Sequence, residues 1–121
     1  RDLKASSSIF ARDKDFYDRL RNRIEMSLGM FNFKGRRHTV HIGYDISLAE
    51  EIRNSRFTEN QVILSEDAQE IVIAMEVVMD EAFLRKAVLP YGDKARIYGP
   101  AFAVSMARRM LIRALNNYAE E

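Results

Sequence analysis

The chain has 121 residues, no cysteine and a formal net charge of +1. That length supports one domain with a modest core, 47% hydrophobic against 31% charged residues excludes global disorder, and the lack of cysteine excludes a disulfide framework or a thiolate metal site. A charge so near zero excludes the broad uncompensated basic surface that non-specific nucleic-acid binding draws on, and no apolar run approaches the ~20 residues of a membrane span or forms a signal-peptide core.

The expectation is therefore a cytoplasmic protein with no membrane partner. The chain opens at Arg1 and passes through Ser6-Ser7-Ser8. Residues 1–12 are expected to be a linker or the tail of a preceding domain, and residues 13–121 the domain proper.

From Asp13, Phe16, Leu20, Ile24 and Leu28 recur every four residues and Gly29 follows as a C-cap, which predicts an amphipathic helix. Met30-Phe31-Asn32-Phe33 leads into a turn at Lys34-Gly35. Beyond it, His38, Val40, Ile42 and Tyr44 alternate with Arg37, Thr39, His41 and Gly43, the period of a strand. Asp45 or Ser47 can cap a following helix, Ser47-x-x-Glu50 has capping-box spacing, and that helix should end near Ser55-Arg56. Gln61 to Leu64 reads as a strand, Ser65 to Ala68 as a hairpin loop, and Glu70 to Met79 as a longer partner strand. Periodicity alone also admits a buried helix over 70–79, but the β-branched content favours a strand. Ile71, Ile73, Met75, Val77 and Met79 fill one face of it while Val72, Ala74 and Val78 make the other apolar too, so the strand should be central and covered on both sides.

Asp80-Glu81 opens a further helix with Phe83, Leu84, Ala87 and Tyr91 at core spacing, ended by Pro90 and Gly92. A strand from Lys94 to Tyr98 follows, and Gly99-Pro100 launches the last helix. There Phe102, Met106, Met110, Leu111, Ala114, Leu115 and Tyr118 form one stripe that Val104 and Ile112 widen. The predicted fold class is α+β: a ferredoxin-like β-α-β-β-α-β antiparallel sheet with an additional helix at each end. Val40, Ile42, Ile71, Ile73, Val77, Phe83, Leu84, Ala87, Ile97, Phe102 and Met106 are its expected core.

The chemistry-bearing residues point away from catalysis. His38 and His41, the only histidines, fall on opposite faces of a regular strand and cannot share a metal; no metal site is expected. Glu66-Asp67 sits in a turn that gives two carboxylates no reason to titrate apart, and Ser6 to Ser8 lack a nucleophile elbow. Gly92 and Gly99 do not form a phosphate-binding GxGxxG loop, and the strands lack the stacking aromatics of an RNA-binding sheet. The methionines occur at core spacing. No cofactor and no enzymatic activity are expected. Among the basic groups, Arg36, Arg37 and Arg96 are the candidates for holding an anionic ligand or a nucleic-acid phosphate. Val72, Val78, Val104 and Ile112 carry more apolar surface than one sheet face needs, and are the candidates for a homodimer or interdomain contact.

Gly92-x-x-Ala95-x-Ile97-x-x-Pro100 followed by the long helix to Tyr118, with Arg56-Phe57-x3-Gln61 upstream, resembles the C-terminal extension (WCX) domain of WYL-domain bacterial transcriptional regulators. The resemblance spans about residues 29–118; Phe57 stands where the family often has a tryptophan. It implies a regulatory and dimerisation domain that contributes to ligand sensing. It also implies WYL and winged helix-turn-helix domains upstream in the same chain, DNA binding through the full-length protein and a nucleotide or nucleic-acid effector. A second reading is a stand-alone ACT-like small-molecule-binding module with its ligand at a dimer interface, which a ligand-dependent thermal shift of this chain alone would favour.

Overall fold

A computed structural model of the chain describes residues 12–27 and 37–119. Helices α1 (Lys14–Ser27), α2 (Ala49–Ser55), α3 (Glu81–Ala87) and α4 (Ala101–Asn116) combine with strands β1 (Arg37–Asp45), β2 (Val62–Glu66), β3 (Glu70–Val78) and β4 (Ala95–Gly99). Their chain order is α1-β1-α2-β2-β3-α3-β4-α4. The expected linker through residue 11, the turn at Lys34-Gly35, the cap at Gly29 and the candidate Arg36 lie outside the described residues.

The strands form one four-stranded sheet in the order β2-β3-β1-β4, antiparallel at every pairing. Period-two alternation sets the register. Val40, Ile42 and Tyr44 of β1 and Ile71, Ile73, Met75 and Val77 of β3 point to one face, where Ile42 pairs with Ile73. Ile52 of α2, Phe83, Leu84 and Ala87 of α3, and Ala103, Ala107 and Met110 of α4 close over them in one cluster. Tyr44 is fully buried there and donates its hydroxyl to the Ala87 carbonyl, which satisfies the one polar atom the ring carries inward. Val72 and Ala74 on the opposite face are equally buried, as the doubly apolar pattern of β3 requires.

Local chemistry shifts several boundaries. The Asp45 carboxylate accepts from the Ser47 amide at 3.0 Å and caps a 3-10 turn at Ile46–Leu48, so α2 starts at Ala49 without a side-chain cap and the Ser47-Glu50 box does not form. β2 continues through Ser65 and Glu66, because Asp67 alone closes the turn. Its carboxylate accepts from the amides of Gln69 at 2.8 Å and Glu70 at 3.0 Å. Asp80 caps α3 through the Phe83 amide at 2.9 Å. That helix ends at Ala87, ahead of Pro90, and a 3-10 turn at Leu89–Lys94 follows, with Gly92 at φ 59° where a side chain would be strained.

Nine of the expected core residues belong to the main cluster and Met106 is partly buried against it, but Phe102 is 42% exposed and stands edge-on to His38. The small side chains of Ala103 and Ala107 bring α4 close to the sheet, which displaces the neighbouring large residues to its flanks. Two substitutions test this inversion by chemical denaturation. Ile73→Ala should cost ~2–5 kcal/mol, whereas Phe102→Ala should cost under ~1 kcal/mol; equal costs would contradict the packing described.

Candidate functional site

On the sheet face opposite the main core, α1 packs over Val72, Leu64 and Tyr98. Asp13 caps that helix by accepting from the Phe16 amide at 2.9 Å, and Phe16 and Leu20 bury Val72 with support from Tyr17, Ile24, Leu64 and Tyr98. At the edge of this cluster a charged group is taken inside. Glu70 is 1% exposed; its carboxylate accepts from Arg12 at 2.8 Å on one oxygen and from the Tyr98 hydroxyl at 2.8 Å on the other. Arg12 also reaches Asp67 at 3.3 Å, and its guanidinium lies 4.1 Å from the centre of the Phe16 ring. Arg12, read from the sequence as the last linker residue, thus packs against Glu70, Asp67 and Phe16.

Gly43 makes room for this arrangement. A Cβ there would collide with the Glu70 carboxylate and lie 2.7 Å from Tyr98 Cε2. Burial raises the pKa of Glu70 above the ordinary carboxylate value, with the Tyr98 hydrogen bond and the Arg12 charge acting in the opposite sense. Burial and the hydrogen bond to Glu70 raise that of Tyr98. For Arg12, burial lowers the pKa, but the hydrogen bond to Asp67 and the charges of Glu70 and Asp67 outweigh it and the net shift is upward.

Tyr98 and α1 in turn position Arg96, whose guanidinium lies 5.3 Å from the centre of the Tyr98 ring and donates to the Tyr17 hydroxyl at 3.5 Å. Arg96 borders a groove of about 320 Å³ between β4 and α4, walled by Val88, Ala95, Ile97, Val104 and Leu111, with Arg108 as its other charged residue. Arg37 is exposed at the start of β1 beside a second cleft of about 300 Å³ that includes Phe57, Glu76 and Lys86. The two arginines do not converge. Arg96 pairs with Gly43 while Arg37 opens the same strand, so roughly 20 Å of β1 separates them. Of the contact candidates, Val72 is fully buried in the cluster that α1 forms with Leu64 and Tyr98, and Val104 packs against the main core, whereas Val78 and Ile112 are about half exposed.

His41 is buried on the α1-side face of the sheet, and burial lowers its pKa from 6.5 to about 4. Among the described residues no group of three or more His, Asp or Glu side chains could hold a metal ion, and no helix is long and apolar enough to cross a membrane. No family model matches the chain and no curated protein matches it.

Arg12, Glu70, Tyr98 and Gly43 escaped the sequence reading of the site. A glycine inside an otherwise β-branched strand signals a close approach, and Glu70, the acid that opens a strand apolar on both faces, signals a buried partner; Arg12 carried no signal at all. Two outcomes follow. Arg12→Met should cost ~3–5 kcal/mol by leaving the Glu70 carboxylate without its cation, with much of the loss recovered in the Arg12→Met/Glu70→Gln double variant; denaturant titration of the three proteins checks this. For His41, the unfolded chain takes up a proton near 6.5 and the folded chain only near 4. Its stabilising contribution is complete above 6.5 and is lost as the pH falls toward 4, in total about 3 kcal/mol. NMR titration of His41 and the pH slope of stability in wild type against His41→Asn measure it.

Proposed function

We propose that this chain is the C-terminal regulatory and dimerisation domain of a WYL-type transcriptional regulator, acting through binding rather than catalysis. The observation that carries the reading is α4. Ala103, Ala107 and Met110 commit one stripe to the core, yet Leu111, Ile112 and Leu115 face solvent along its second half and Tyr118 does so just beyond its end. A cluster of large apolar side chains on one helix is the mark of an association surface.

Other observations support the family and its fold. The strand order β2-β3-β1-β4 with antiparallel neighbours, and α2 and α3 crossing on one face, supports the ferredoxin-like arrangement. Phe57, at the position of the family's tryptophan, is buried and stacks with Tyr44 at 6.2 Å. Gln61 closes the same loop by accepting from the Phe57 amide at 3.0 Å and donating to the Ile52 carbonyl at 3.2 Å. The Phe-x3-Gln spacing therefore has a physical purpose here: the amide side chain ties the end of α2 to the start of β2. In this reading Arg96 and Arg37 serve two different contacts, one beside each sheet end, rather than one ligand.

Sedimentation equilibrium tests the proposal. The chain should form a dimer, and Ile112→Glu should shift it to monomer while circular dichroism shows the fold retained. Val78→Glu, at the far end of β3, asks whether a second surface takes part. A wild-type chain that stays strictly monomeric at about 1 mM, a concentration at which even millimolar affinity shows, overturns the dimerisation half of the reading.

A further inference from the structure

β4 ends the sheet. β1 occupies one of its sides and, among the described residues, no strand pairs with the other. Along such an edge alternate N–H and C=O groups point outward and can pair with another extended chain. The edge runs directly beside the groove of about 320 Å³ whose apolar walls are Val88, Ala95, Ile97, Val104 and Leu111 and whose charged residues are Arg96 and Arg108. No acidic side chain lines that groove. The bias extends further, because the sequence between Asp93 and Glu120 contains Lys94, Arg96, Arg108, Arg109 and Arg113 and no acid. Arg113 is held by Glu81 at 3.0 Å, reaching away to α3, while Arg108 makes no ion pair among the described residues.

We propose that this groove takes an extended acidic peptide segment by strand addition to β4. Its backbone pairs with the open edge, alternate apolar side chains enter between β4 and α4, and the carboxylates between them point to the α1 side of the sheet, where they meet Arg96, while Arg108 adds positive charge from the α4 side. Tyr17 and Tyr98 hold Arg96 over the strand in advance, so little side-chain freedom is lost on binding. A second copy of this chain is the wrong occupant. Pairing β4 with β4 about a two-fold at its central Ile97 sets Arg96 opposite Tyr98 and diagonally beside the Arg96 of the other copy, so it brings cations together with no carboxylate to meet them. The five residues of β4 match a segment of similar length. The site shares Leu111 with the apolar second half of α4, but its strand edge and Arg96 lie outside that surface and the proposal does not rest on the regulatory reading.

The test uses the full chain and four fluorescein-labelled hexapeptides. One alternates valine with glutamate, one alternates valine with lysine, and two are glutamate peptides N-methylated on one or the other set of alternate amides. Fluorescence anisotropy should show the glutamate peptide binding at least about tenfold tighter than the lysine peptide, weakening with added salt. One of the two N-methylated peptides should lose binding, and amide shifts on peptide addition should concentrate at Ala95 to Gly99. The Arg96→Glu/Arg108→Glu variant should invert the preference between the acidic and basic peptides. If that variant does not fold, the peptide comparisons on the unaltered chain still decide. Equal binding of all four peptides overturns strand addition, and so does absence of binding at about 1 mM peptide. Binding of a short oligothymidylate in place of the acidic peptide also overturns it, since the cations then serve phosphate. Sedimentation behaviour is read separately, so failure here and failure of the dimer are distinguishable.

Discussion

The architecture depends on a central strand pair that is dry on both faces. Ile73 and Val72, neighbours in β3 that point to opposite sides, are both fully buried, so water must be excluded from both sides of β1 and β3 at once. Three helices meet that demand on one side, and on the other α1 meets it over Val72 through Phe16 and Leu20. Burying apolar surface is favourable by roughly 25 cal/mol per Å², and the two clusters draw on it unequally. The main one joins residues from three helices and three strands, whereas the one under α1 is built on three buried side chains.

The thin cluster is supplemented by charge. Glu70 is buried at the end of β3 opposite Asp45 in the ladder, and its desolvation is partly offset by Arg12 and Tyr98, which supply donors from two distant parts of the chain. Gly43 contributes by having no side chain. The same tyrosine orients Arg96, so the network that fastens α1 also sets the position of a cation beside the β4 groove. Attachment of the helix and geometry of the groove are therefore parts of one arrangement.

Most of the element order was legible because period-two and period-four patterns are properties of neighbouring residues. Phe16, Leu20 and Ile24 announced α1, and Val72 with Val78 announced that β3 needed cover on its second face. What stayed hidden depends on residues distant in the chain. Phe102 looked like core by its size, but Ala103 and Ala107, weak in any hydropathy pattern, are what pack. Arg12 and Glu70, like Tyr98 and Gly43, are brought together by sheet pairing and helix docking, and nothing local in any of them reports its partner. Arg37 and Arg96 were both visible as cations, yet only the register of β1 with β4 shows that they are far apart. The alternative of a second subunit over Val72 was open on the sequence because hydropathy counts apolar surface without saying which chain covers it.

The unequal cover of the two sheet faces has a kinetic side. Proteins open in parts, and a unit with few buried apolar contacts opens at a lower free energy than the global fold. α1 fits that description: it is joined to the sheet by a small aromatic and aliphatic cluster, an ion pair, and single hydrogen bonds such as the one from Arg23 to the Leu64 carbonyl at 2.8 Å. Its detachment would expose Val72 and Tyr98 and release Arg96 from Tyr17, while β1, β3 and the three helices on the other side stay packed. Opening of α1 alone would therefore bring Val72 within reach of other chains while the main core stays closed.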